Sequence, residues 1–216
     1  MIKSLRKKGF TIVELVIVIA VIAILAAILI PTFSGIIKKA NIASDTAMAK
    51  NMNTALAMAD SEGNVPEDMG DVLFILYGAG YVLENLNPTT NGYYFVWDET
   101  TNQILFLTDT FEVHYSSKVY SENSLDWWLP IKTEADIIPN EEFSYCMAKD
   151  IGSEENEADL NFTYLANFDT NGFTLTGNIS YVSDATGSFS VSGTIDGDLI
   201  IDTEKATVYH LSLIHI

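Results

Sequence analysis

Four things are scarce in this chain of 216 residues: cysteine, of which there is one, proline, of which there are five, histidine, of which there are three, and positive charge beyond residue 40. With Cys146 alone, no disulfide can close within the chain. A buried, unreactive thiol is its expected state, with an intermolecular bridge the other use open to it. His114, His210 and His215 lie beside no nucleophile and at no metal-ligand spacing, and glycine-rich phosphate loops are absent, so no catalytic residue is assigned and an enzyme is not expected. Residues 41–216 hold five basic residues against 28 acidic ones, a net of −23. Such a surface repels phosphate backbones and anionic lipid, which excludes direct nucleic-acid binding by this chain.

What the sequence does have is an uninterrupted apolar run at its start. Phe10–Ile30 is 21 residues long, about 31 Å of α-helix at ~1.5 Å per residue, matching the ~30 Å hydrocarbon core of a bilayer. Six of the eleven basic residues flank it: Lys3, Arg6, Lys7 and Lys8 before, Lys38 and Lys39 after. That asymmetry favours a cytoplasmic N-terminus and an outward head. Inside the run stands one carboxylate, Glu14. A charge within a transmembrane helix costs roughly 2.5–3.5 kcal/mol at the centre and less near the end, so it marks a functional site. An ordinary secretory signal would have an apolar core of about 7–15 residues followed by a small-x-small cleavage site. Leu15–Ile30 alone is 16 residues with no such site before polar sequence.

The residues Lys7-Lys8-Gly9-Phe10-Thr11-Ile12-Val13-Glu14-Leu15 resemble the class III leader and cleavage motif of type IV prepilins and of type II secretion pseudopilins. Ala26-Ala27-Ile28-Leu29-Ile30-Pro31-Thr32-Phe33 is similar to the same family's helix, with its proline at Pro31. The resemblance implies cleavage between Gly9 and Phe10 by a prepilin peptidase, N-methylation of Phe10 by the same enzyme, and a role for Glu14 in assembly, meeting the N-terminal amine of a neighbouring subunit. It covers about residues 3–60. A looser likeness, in Ala79-Gly80-Tyr81, Asn87-Pro88-Thr89-Thr90 and Tyr94-Phe95-Val96-Trp97-Asp98, points to pilin-like proteins of Gram-positive bacteria. The physics of the segment agrees with the resemblance. A free amine at Phe10 would lie one helical turn from Glu14, and two charges poorly hydrated in lipid gain by pairing. Between chains, that pair would fix the axial stagger of neighbours.

Past the membrane the helical pattern continues, with no proline between Pro31 and Pro66. Ile37, Ala40, Ser44, Met48, Asn51, Met52, Ala55 and Ala59 fall on one side, Lys39, Thr46, Lys50, Asn53 and Asp60 opposite. Phe10 to Asp60 would make one helix of about 77 Å, kinked or locally melted between Pro31 and Gly35. A short helix over Glu67–Tyr77, a hairpin of Tyr93–Trp97 with Gln103–Leu107, and a third strand over Phe111–Ser116 follow. Residues 117–158 read as irregular. From Leu160, short apolar-alternating runs with turn signals every eight to twelve residues predict a small β-sandwich or meander. The fold class is therefore α+β, a long N-terminal helix on an antiparallel pilin-like sheet with a β-rich C-terminal extension. Its segments are a leader (1–9), a membrane helix (10–30), the soluble half of that helix (31–60), a head (61–116) and the extension (117–210).

Residues Leu211 to Ile216 translate the transposon-end adaptor used in sequencing libraries, so they are set aside as an artefact and the natural chain is expected to continue past about His210. No cofactor is expected. Ca²⁺ is the one candidate, at Asp169-Thr170-Asn171-Gly172, Asp196-Gly197-Asp198 or Glu154–Asp159, although the first two read equally as hairpin turns and the third as a solvated loop. Trp127-Trp128 reads as one buried and one half-covered indole, or as an adhesive patch. The function these features imply is a filament subunit whose partners are the peptidase, the membrane and copies of itself or related pilins. The acidic extension would project away from the shaft contacts. A single-pass surface-anchored binding protein and an adhesive minor pilin are the alternatives.

Overall fold

The computed structural model describes residues 11–83, 86–138, 143–164, 166–182, 187–202 and 206–213, with backbone alone for 187–189 and 206–213. The leader, Gly9 and Phe10 therefore lie outside the described residues. The chain divides into two compact units, Met1–Ser44 and Asp45–Ile216. Helix α1, Ile12–Ser61, belongs to both.

Within the first unit every described residue up to Ala40 is exposed apart from half-buried Ala26. From Leu15 to Ile30 the side chains are Val, Ile, Leu and Ala in unbroken succession, and the helix is long and apolar enough to cross a membrane. α1 continues through Pro31 and Gly35 without interruption, so the melted segment anticipated there is absent. Thr32 Oγ1 donates to Ile28 O at 3.0 Å, and any bend must arise from the one backbone bond Pro31 cannot make.

In the second unit the buried stripe of α1 is Asp45, Ala49, Met52, Leu56 and Ala59, a regular i, i+4, i+7 face. This is rotated from the anticipated face: Ser44 and Asn51 are exposed, and the docked side begins with a carboxylate, Asp45. Helix α2, Met69–Gly78, starts with the Asp68 side chain accepting from Asp71 N and buries Met69, Val72, Leu73 and Leu76.

Ten strands follow: β1 Tyr94–Asp98, β2 Gln103–Leu107, β3 Val113–Tyr115, β4 Trp127–Ile131, β5 Ser144–Met147, β6 Ala158–Phe162, β7 Phe168–Val182, β8 Gly187–Asp196, β9 Leu199–Asp202 and β10 Ala206–Leu213. The first four are antiparallel, in order β4-β1-β2-β3, of which only β1, β2 and β3 were anticipated. The segment expected to be irregular contains β4 and β5, which pair in parallel. Both are short, almost wholly buried runs with no alternation to betray them. Pro130 sits inside β4, but β1 pairs only with Trp127 and Trp128, so the missing N–H falls beyond that ladder.

The extension is neither a sandwich nor a meander. β5–β7, β7–β8, β8–β10, β6–β7 and β7–β9 are all parallel. Cys146 pairs with Asp169 and Asp169 with Ser192, while Leu160 pairs with Ile179 and Ile179 with Leu199. Positions about 20 residues apart thus stack, the spacing of a coiled repeat in which each turn contacts its neighbours. β5 with β6, then β7, then β8 with β9, then β10 are successive coils. Leu160, Ile179, Phe162, Tyr181, Leu175 and Ile195 point into a closed core, and the rings of Phe162 and Tyr181 stack at 4.8 Å.

The turn chemistry read from the sequence is present but used differently. Asn171 and Gly172 have positive φ within β7, where its register against β8 shifts. Asp196-Gly197-Asp198 joins β8 to β9, which pair not with each other but with β7. At this corner the coils approach so closely that a Cβ on Gly197 would lie 2.0 Å from Gly177 O, and one on Gly177 1.9 Å from Ala158 O.

Candidate assembly site

Glu14 is the one charged side chain among residues 11–37. Its Oε2 accepts from Thr11 N at 2.8 Å and from Thr11 Oγ1 at 2.7 Å, and Thr11 Oγ1 accepts from Glu14 N at 3.2 Å. That reciprocal pair is a capping box, in which a threonine and a glutamate three residues on satisfy the first orphan donors of a helix. The Thr-x-x-Glu spacing was visible in the sequence, yet a local cap was not among the roles considered for Glu14. Local capping and an intermolecular role are compatible, because every contact described for the carboxylate uses Oε2. The site therefore consists of an acceptor held at the start of a helix whose next stretch, Leu15–Ile30, is apolar and almost wholly exposed.

Two polar residues of α1 fasten the helix to the head. Asp45, 1% exposed, accepts from Thr89 N at 2.8 Å and from Thr90 N and Oγ1 at 2.9 and 2.6 Å. Asn53 Oδ1 accepts from Ile104 N at 2.7 Å while its Nδ2 donates to Ile104 O at 2.8 Å. Asn53 belongs to the face assigned to solvent, and nothing in helical periodicity distinguishes a polar residue that bonds backbone from one that faces water.

The remaining candidates find plain places. Trp127 is buried, with Nε1 donating to Ser121 O at 3.1 Å, and Trp128 is half-buried, with Nε1 donating to Glu99 Oε2 at 2.8 Å. Cys146 is buried, and burial, with Asp169 and Asp68 adding to it, pushes its thiol pKa well up. His114 packs edge-on against Phe106 at 5.5 Å. Among the described residues no three His, Cys, Asp or Glu side chains converge as a metal site would require.

Residues 4–30 match the model of the prokaryotic N-terminal methylation motif. The chain is 34% identical over 91 residues to a fimbrial protein of Moraxella nonliquefaciens, a stretch covering 39% of this chain and 58% of that protein. It is 53% identical over 49 residues to the major component of the type IV wide pilus of Thermus thermophilus, covering 23% of this chain and 35% of the other. Against the major component of that organism's type IV narrow pilus it is 46% identical over 55 residues, covering 26% and 47%. The chain thus spans between about a third and three fifths of the length of these relatives. No solved structure matches. The class these findings define is an α+β protein with a methylation-motif N-terminus and, among the described residues, one helix long and apolar enough to cross a membrane, as in a membrane-anchored protein. Within it, the N-terminal part of the chain is similar to those of type IV pilins; the Gram-positive likeness finds no support among the matches.

Proposed function

We propose that this chain is a prepilin, processed between Gly9 and Phe10 by a prepilin peptidase, N-methylated on Phe10 and polymerised through α1 into a type IV pilus or pseudopilus. The observation that carries the reading is a single carboxylate, preset by Thr11 at the mouth of an exposed apolar helix. Outside a bilayer, such a helix is covered only by other helices like it. A head-to-tail contact of that kind is heterologous and open, so it grows into a filament instead of closing. The orientation that follows has the N-terminus inside and the head outside. Two of the relatives are themselves major pilus components, which supports filament assembly with copies of this chain or related pilins. The acidic excess of the head argues that the coil region projects away from the shaft, since like charges repel over ~8 Å at physiological salt.

The test is twofold. Mass spectrometry of the mature protein, made in a host with a matching peptidase, should give an N-terminus at Phe10 carrying a methyl group. Glu14→Ala should abolish incorporation into sheared surface filaments while Thr11→Val, which removes only the capping hydroxyl, leaves it largely intact. A mature chain beginning after residue 31, or Glu14→Ala filaments at normal yield, overturns the reading.

A further inference from the structure

We propose that the groove between the end of α1 and α2 receives the Phe33–Ala40 stretch of α1 from a second copy of this chain. The proposal rests on the filament reading above and names the surfaces that meet. The groove, about 690 Å³, is lined by Met58, Val65 and Phe74 and rimmed by Glu62, Glu67 and Asp71, with no basic residue in its wall. The three apolar side chains are 62, 54 and 76% exposed, while α2 buries its opposite side. An apolar floor with a wholly acidic rim calls for an apolar ridge flanked by positive charge.

This chain carries such a ridge once. Phe33, Ile36, Ile37 and Ala40 follow the i, i+3, i+4, i+7 pattern of a helix that lies in a groove. The first three are 57, 56 and 58% exposed. Lys39, exposed, sits beside the ridge, and Lys38 adds to the same positive turn. The five basic residues beyond residue 40 are scattered singly, so none of them offers a comparable apolar and basic stretch. Ridge and groove wall are both parts of α1, and one continuous helix cannot lie in a groove that it forms itself, so the donor is another copy. A ridge on one copy meeting a groove on the next is heterologous and leaves both ends open.

Cross-linking of sheared filaments tests the contact. Ala40 and Ala79, both exposed and the latter lining the groove, are changed together as Ala40→Cys/Ala79→Cys. The native Cys146 is buried and stays silent. A short bis-maleimide should convert the filament into a ladder at multiples of one chain's mass, with each single variant stopping short of a ladder. Filaments of the double variant that give no ladder overturn the groove contact and leave the filament reading standing. Wild-type chain that forms no filaments in a competent host overturns both. Should the double variant itself fail to assemble, charge reversal decides: Lys39→Glu should lower filament yield at least about tenfold, and Glu62→Lys/Glu67→Lys in the same chain should restore it. An unchanged yield with Lys39→Glu, or no restoration, sinks the proposal.

Discussion

The two halves of the head are held together over different distances along the chain. In the half built from β1, β2, β3 and the docked part of α1, strand partners are close neighbours, Tyr94 facing Leu107 across a tight loop. In the half built from β5 to β10, partners lie about 20 residues apart and every ladder is parallel. The first half closes locally and then needs a helix to cover it. The second needs no helix, because stacked coils bury Leu160, Ile179, Phe162 and Tyr181 against one another. Its outward face carries a polar ladder instead: Asn178 Nδ2 donates to Asp159 Oδ1 at 2.8 Å, and Asn178 Oδ1 accepts from Asp198 N at 2.9 Å. A backbone that must pass close to its neighbouring coil depends on glycine; a backbone covered by a helix depends on what the helix offers.

The largest effect that would break this contrast comes from the same kind of substitution made in each half. Gly177→Val sets a side chain against the backbone of Ala158 and should cost more than about 4 kcal/mol, seen as loss of the thermal transition of the coil region. Gly78→Ala, at the end of α2 with open space around it, should stay within about 0.5 kcal/mol of wild type. Comparable losses at both sites would show that close coil approach is not what the second half depends on.

Next in size is the fastening of α1. Asp45→Ala strands the N–H and hydroxyl of buried Thr90 and removes the partner of Thr89 N, and should cost about 2–3 kcal/mol in urea unfolding of the detergent-solubilised chain. Asn53→Ala, half-buried, should cost about 1 kcal/mol. If hydrogen exchange shows the coil region opening before α1 in Asp45→Ala, the helix does not belong to the first half energetically.

The smallest effect concerns pH and separates the halves by chemistry. Cys146 and Tyr181 are both in the parallel half, and burial raises both of their pKa values. In the unfolded chain they lose protons near about 8.5 and 10; in the folded chain they keep them to higher pH. The unfolded state then binds fewer protons, so stability is fully present below about 8.5 and falls as pH rises past it. Amide exchange in β5 and β7 should accelerate above that pH, and Cys146→Ala with Tyr181→Phe should flatten the dependence. A decline of equal slope in the double variant would assign it to other groups.

How much of this was readable beforehand follows from the same contrast. The apolar helix, α2 and the Tyr94–Leu107 hairpin were legible because their signals are local: period 3.6, acids at the start and glycines at the end of a short helix, β-rich runs across a short loop. The coils were not. Their turn residues were seen, but a turn signal fixes where a strand ends and not what it pairs with, so Asp196-Gly197-Asp198 was read as a hairpin. The recurrence of Leu160-x-Phe162, Ile179-x-Tyr181 and Leu199-x-Ile201 was the available sign of the repeat. At the candidate assembly site Glu14 stood out by its charge and by the motif around it, whereas Asp45 and Asn53 were hidden because a docking polar residue and a solvated one look alike in sequence.

The pair of bonds from Asn53 to Ile104 has one more consequence. They occupy the N–H and C=O that β2 would otherwise show to the outside beyond the reach of β3, itself only three residues long. A strand from another molecule arriving at this margin finds too short a template to zip onto. On the filament reading proposed above, a chain brought to high local concentration thereby keeps one mode of association, helix against helix, from being overtaken by the irreversible one, sheet onto sheet.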